Sequence, residues 1–156
     1  MPQEKQIEKR TYQVSPEVKE IAKKVIAEHK AVDIQDAKIE YLLVYPNIAK
    51  HIAGRCSKTN KHTKFFSDFD FVIEMSGELW DALDAETKTI LTLHELMHVK
   101  VTTNKDGETQ YRIKDHDVKD FSYIISKHGI DWFGNLKVQM ASVYDLDPAD
   151  EGKITL

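Results

Sequence analysis

The sequence predicts an α+β domain in which a small mixed sheet lies beside one central helix, and three observations predict it. Ile39-Glu40-Tyr41-Leu42-Leu43-Val44-Tyr45 is rich in β-branched and aromatic residues and is closed by Pro46, as a strand would be. Phe69, Phe71, Ile73 and Met75 alternate with Asp70, Val72 and Glu74, the period of a strand with one packed face. Ile90, Leu91, His94, Met97, His98 and Val101 recur at the spacing of one helical stripe. With 156 residues, 41% apolar and 31% charged, the chain has the size and composition of one soluble domain with a real core.

Taken in order, residues 1–14 are polar and mixed in charge and read as a flexible N-terminal arm. Ser15-Pro16-Glu17 is a helix start, with Ser15 as N-cap and Pro16 at the first helical position. Val18, Ile21, Ala22, Val25 and Ile26 extend it as an amphipathic helix over 16–30, and His29 at its end reads as a surface residue. A strand over 39–45, a weaker one over 52–57 and a third over 69–75, ended by Ser76-Gly77, form the sheet. Asp84 caps the next helix, expected to run to about Lys100 before the turn Asn104-Lys105-Asp106-Gly107. Residues 109–113 suit a short strand, and Asp115 or His116 opens a helix that Gly129 stops after His128. A last helix covers 135–143, and the acidic tail 146–156 is expected to be loosely held, leaving one domain over 15–145.

The chemistry is concentrated in the long helix, whose centre reads His94-Glu95-Leu96-Met97-His98. On a helix, positions i and i+4 share a face, so both imidazoles can reach one ion. Zinc prefers such nitrogen ligands and in catalytic sites keeps a position open for water. Glu95, beside His94, can reach that water as a general base without binding the metal. A chance match would be expected on a solvated helix face, but Ile90, Leu91, Leu93, Leu96, Met97, Val99 and Val101 surround this one. Two histidines on a buried stripe would each cost about 1–3 kcal/mol if left without partners, a cost that a shared metal removes.

A catalytic zinc needs a third protein ligand. The compact pattern with another His six residues after the second fails, because position 104 is Asn, and Glu108 is a weak candidate near a turn. The better source is Lys114-Asp115-His116-Asp117-Val118-Lys119-Asp120, one loop and one short strand further on, with His116 the first choice and Asp117 the second. Asp120 can accept the other ring N–H of His116 and so orient it.

These segments, with the strand at Ile39, Gly54-Arg55-Cys56, Asp70-Phe71-Val72-Ile73-Glu74 and residues 121–129, resemble the phage metallopeptidase family over most of the chain. The resemblance implies a compact zincin-like fold, zinc on His94, His98 and His116, and Glu95 as catalytic acid/base. The arrangement is also similar to SprT-like proteases, whose third His opens a later helix. The chain lacks their Cys-rich zinc ribbon, since Cys56 is its only cysteine.

The expected activity is therefore zinc-dependent hydrolysis of a peptide bond by Glu-assisted attack of a metal-bound water. The expected partner is a narrow protein or peptide substrate, met in the cytoplasm of a phage host. The expected edge for an extended peptide is the strand ending near Glu74. The competing reading is a non-enzymatic zinc-stabilised module that binds nucleic acid or a host protein. It rests on Lys50, Arg55, Lys58, Lys61 and Lys64, which lie in an acid-free stretch over 49–67 with Phe65 and Phe66 for stacking. Such a run is more often a solvated loop. A net charge of -4 gives no global case for nucleic acid or anionic membrane, and no apolar run approaches the length of a membrane span. The lone Cys56 excludes an internal disulfide and has no evident base to make it a nucleophile. Tyr111 and Arg112 are possible oxyanion donors but equally strand residues, while Trp80, Trp132 and Phe133 read as packing residues.

Overall fold

A computed structural model describes residues 9–116, 120–129, 131–144, 146, 153, 154 and 156. The architecture is α+β, with six strands and six helices among the described residues. Its centre is a four-stranded mixed sheet of order β1-β2-β4-β3. β1 (Thr11–Val14) and β3 (Gly54–Lys58) form the edges, and β2 (Ile39–Tyr45) and β4 (Phe71–Ser76) the middle. The central pair is parallel, Ile39 opposite Phe71 and Leu43 opposite Met75, and both outer pairs are antiparallel. Strand residues Tyr41, Leu43, Ile73 and Met75 alternate onto one face and are buried there.

That face is covered by α1 (Pro16–Glu28) and α4 (Ala85–Leu96). The stripe on α1 works as its spacing predicts, with Val18, Ala22 and Val25 almost fully buried. The Ser15 hydroxyl accepts the Val18 amide at 3.2 Å, supplying the expected N-cap. α3 (Gly77–Ala82), α5 (Ser122–His128) and α6 (Asp131–Tyr144) complete the core with Leu79, Trp80, Ile124, Trp132 and Leu136. Both tryptophans are buried, and Phe133 packs against the same cluster.

Several expectations are corrected. Residues 11–14, assigned to a free arm, form the edge strand β1, pairing from Thr11 opposite Tyr45 to Val14 opposite Leu42. Its side chains are exposed, so backbone pairing holds it and the sequence carries no burial pattern to reveal it. The tail is not free throughout: Ile154 is buried and Leu156 packs against the main core. The basic stretch is no simple loop. It contributes β3 and the short helix α2 (Lys61–Ser67), which Asn60 caps by accepting the Thr63 amide at 2.8 Å. Because α2 buries no residue, it has no apolar stripe to read.

The motif helix is also shorter than its hydrophobic stripe. α4 ends at Leu96, and Val99 begins β5 (Val99–Thr103), paired with β6 (Thr109–Ile113) in a two-stranded antiparallel sheet. Val99 and Val101 are buried beside Ala37 and Phe71 in a smaller cluster, not on the helix. Val99-Lys100-Val101-Thr102-Thr103 is rich in β-branched residues, and cross-strand packing takes the chain out of the helix there. The helix expected from Asp115 or His116 begins only at Ser122, though Gly129 ends it as anticipated, with φ 77° at the C-cap. Asp117, the alternative third ligand, lies outside the described residues.

Candidate metal centre

The site starts from how α4 is held. Asp84 caps it by accepting the Thr87 amide at 2.7 Å, which fixes where the helix begins. From Ile90 to Leu96 every residue is buried, because the helix runs between the sheet and the helices α5 and α6. His94 and Glu95 are both 0% exposed, a position that polar side chains rarely hold without compensation. His98 sits one residue past the Met97 C-cap, and its amide still donates to the Glu95 carbonyl at 3.2 Å. The i, i+4 relation of the two histidines thus survives the end of the regular helix.

The base of the β5–β6 hairpin orients His98. Lys114, directly after β6, donates its amide to the His98 carbonyl at 2.6 Å and accepts from His98 Nδ1, also at 2.6 Å. Two residues later His116 comes over the motif. Its Nε2 stands 2.9 Å from His94 Nε2 and 3.0 Å from His98 Nε2. The three expected histidines are brought together, and they form the one such cluster of potential ligands among the described residues.

The expected orienting carboxylate is present but serves a different ring. Asp120 Oδ1 lies 2.6 Å from Nδ1 of His94, not of His116. The same carboxylate accepts the Phe121 amide at 2.7 Å and the Trp132 indole N–H at 2.8 Å. Burial pushes the Asp120 carboxyl upward, but the His94, Phe121 and Trp132 donors together hold it below its ordinary value. Trp132, read only as a packing residue, is therefore also a hydrogen-bond donor to the site. The signal for it is general: a buried indole N–H must find an acceptor.

This network fixes what the rings offer. A backbone carbonyl only accepts, and so does an ionised carboxylate. His98 and His94 therefore carry their protons on Nδ1 and turn unprotonated Nε2 atoms toward His116. Burial lowers the His98 pKa to about 4, and the His94 and His116 rings add to the fall against the pull of the Lys114 carbonyl. It is neutral near pH 7. Lone pairs that converge repel each other unless a proton on His116 Nε2 or a cation lies between them. In a tetrahedral site with metal–nitrogen bonds of about 2.0–2.1 Å, ligand nitrogens stand roughly 3.3 Å apart, close to the spacing here. The donor set fits a metal ion.

Glu95 supplies the second test. Both carboxyl oxygens are buried and neither has a hydrogen-bond partner, a state that demands a functional or solvent explanation. Burial raises its pKa to about 7, His94 and Arg55 oppose the rise, and Asp120 adds to it. Gly54, at the start of β3, makes room for it: a Cβ there would lie 3.0 Å from Glu95 Oε1 and from Met75 Sδ. A cavity of about 250 Å³ opens beside Glu95 and His98, lined also by Gly54, Arg55, Cys56 and Ile113. Open space thus lies against the carboxylate and one of the histidines.

Other expected residues fall elsewhere. Tyr111 and Arg112 lie on β6 away from this cavity, with Tyr111 packed edge-on against Phe71 and its hydroxyl donating to Asp36 at 3.3 Å. Burial raises the Cys56 thiol well above its ordinary range and Glu95 adds to the shift, which makes it a poor nucleophile. β4, proposed to offer a peptide-binding edge near Glu74, is paired on both sides, and the free edge beside Glu95 is β3. His29 is not a ligand: its Nδ1 meets the Tyr123 hydroxyl at 2.7 Å. No helix is long and apolar enough to cross a membrane among the described residues.

No curated protein and no solved structure matches the chain. A model of the family described as "Putative phage metallopeptidase" matches residues 10–144, from the edge strand β1 to the last turn of α6. The chain belongs to that family.

Proposed function

We infer that this chain is a zinc-dependent peptidase that cleaves a narrow protein substrate, with His94, His98 and His116 holding the ion and Glu95 as general base. The observation that carries this reading is the meeting of three imidazole Nε2 atoms beside a buried carboxylate that has no hydrogen-bond partner. Zinc suits an all-imidazole set and, when bound, supplies Lewis acidity that makes a water more acidic and polarises a carbonyl.

The chain's own residues do the rest. Glu95, kept free by Gly54, takes a proton from the attacking water on a carboxylate oxygen and hands it to the leaving amine. Asp120, fixed by Phe121 and Trp132, keeps the His94 proton on Nδ1 and so leaves its Nε2 lone pair free, where it would hold the ion. The carbonyl of Lys114 does the same for His98. The cavity beside Glu95 receives the scissile bond between the buried Gly54, Glu95 and His98 on one side and the exposed Arg55 and Ile113 at its mouth.

The test is bound metal by mass spectrometry on untagged wild type, Glu95→Gln and His116→Ala, followed by cleavage of a peptide library. About one zinc per chain in wild type and Glu95→Gln, and loss in His116→Ala, is expected for three histidine ligands with Glu95 outside the coordination. Cleavage falls at least about 100-fold in Glu95→Gln. Correctly folded wild type that takes up no zinc would overturn the reading.

A further inference from the structure

A cavity larger than the one beside Glu95, of about 600 Å³, lies where α2, the end of β3 and β6 meet. Lys58, Lys61, Lys64 and Arg112 line it together with the polar Asn60 and Gln110, and no described carboxylate does. Lys64 is the least available of the four, because it pairs with the buried Asp70 at 2.5 Å and lies over the Tyr111 ring. Lys58, Lys61 and Arg112 are exposed and have no carboxylate partner among the described residues. This cluster is not a by-product of a basic chain, since the net charge is -4. It is a local excess of cations walled by hydrogen-bonding side chains, the chemistry that receives carboxylates.

Its position ties it to the candidate metal centre. β3 begins at Gly54 against Glu95 and ends at Lys58 in the basic cavity. β6 runs the same route in reverse, from Thr109 in the basic cavity to Ile113 in the one beside Glu95. Two strands therefore connect the two cavities, and four residues along β3 span about 13 Å. An extended peptide with its scissile bond at Glu95 has a residue about four positions away at the cations.

We propose that the cavity lined by Lys58, Lys61 and Arg112 is an outlying substrate subsite that selects an acidic segment about four residues to one side of the cleaved bond. The proposal rests on the peptidase reading and names the class of substrate that this site prefers. Phe65 and Phe66, each 84% exposed, stand beside the cations and would favour single-stranded nucleic acid instead, but they do not line the cavity. Continuity with the cavity at Glu95 favours the peptide.

The test has a binding arm and a cleavage arm. In the first, a fluorescein-labelled ten-residue peptide rich in Glu is titrated against Glu95→Gln, beside a neutral peptide and an oligothymidine of equal length. The acidic peptide is expected to bind, weakening with salt, and to lose at least 10-fold in affinity when Lys58, Lys61 and Arg112 are all changed to Ala. Equal binding of the neutral peptide, an unaffected triple variant, or oligothymidine binding in place of the acidic peptide would each overturn the proposal. In the second arm, wild type cleaves a peptide library, and cleaved members are expected to be enriched in Asp and Glu three to five positions on one side. Enrichment that vanishes in the triple variant supports the subsite, and cleavage without enrichment sinks it while leaving the peptidase intact. Acidic-peptide binding by a folded chain that takes up no zinc and cleaves nothing would leave a site for acidic peptides but overturn its role as a substrate subsite, together with the peptidase reading.

Discussion

The two halves of the candidate metal centre are built differently. His94 and Glu95 come from the middle of a buried helix, where every neighbour from Ile90 to Leu96 is fixed by packing. His116 comes from an irregular segment beyond β6, half-exposed, next to the exposed Lys114 and Asp115. The first half exists because the core exists. The second is brought in by hydrogen bonds at its ends, the Lys114 backbone on His98 and the Asp120 carboxylate on His94. The difference teaches that the ion, in the reading proposed here, is less a component of the fold than a clasp that closes one half on the other.

The largest expected effect follows from that asymmetry. Metal-free protein should stay folded on α4 and the sheet, while saturating zinc raises unfolding free energy by about 4 kcal/mol at a thousand times Kd. Thermal unfolding with chelator and then with zinc restored checks it, and a chain that unfolds on chelation would break the comparison. Next come the paired changes His94→Ala and His116→Ala. Both should abolish tight zinc binding, but without metal His94→Ala costs about 3 kcal/mol, through a buried cavity and a stranded Asp120 partner. His116→Ala should stay within about 0.5 kcal/mol of wild type without metal, because it is half-exposed. Equal losses in denaturant unfolding would show that the two halves are not distinct.

Asp120→Asn sharpens the same contrast at smaller scale. Zinc affinity is expected to fall about 10–100-fold, because the amide loses the negative charge behind His94 and has only one acceptor oxygen for donors that now meet two. Competition with a chromophoric chelator reads this, and an unchanged affinity would reduce Asp120 to a packing residue. The smallest effect is at the far end of α4. Asp84→Ala removes the N-cap and should cost about 1 kcal/mol of stability with zinc affinity unchanged. A fall in affinity would mean that the helix transmits changes at its start to the ligands.

The helical half was legible in the sequence because its signals are local. Asp84, the apolar spacing from Ile90 and the pair His94 and His98 lie within fifteen residues, and period and capping report on such distances. The pairing of His116 with them was inferable from its place after one strand and from the family resemblance. The identity of the ring that Asp120 serves was not. Which nitrogen meets which carboxylate depends on where Asp120 and His116 come to lie against α4, and the helix that would set Asp120 one turn from His116 begins only at Ser122. Likewise β5 hid inside the helical stripe, because Val99 and Val101 fit either period until Thr109–Ile113 is seen to pair with them. In the sequence Gly54 stands only as part of a segment that resembles the family. That it leaves space for Glu95 depends on a contact between residues far apart in the chain.

The β5–β6 hairpin also offers a handle for spectroscopy. Its base is pinned at Lys114 and His98, while its tip carries exposed Lys105, Asp106 and Gly107. Apart from its two chain neighbours, no described residue lies within 4 Å of where a Gly107 side chain would begin. The chain's single thiol, Cys56, is half-buried and held in its protonated form by burial, so it reacts slowly with alkylating dyes. A cysteine introduced by Asp106→Cys would therefore take a fluorophore selectively. The probe would ride on a strand pair whose lower end holds a histidine of the centre and whose side faces the basic cavity, so one label could report on metal and peptide alike.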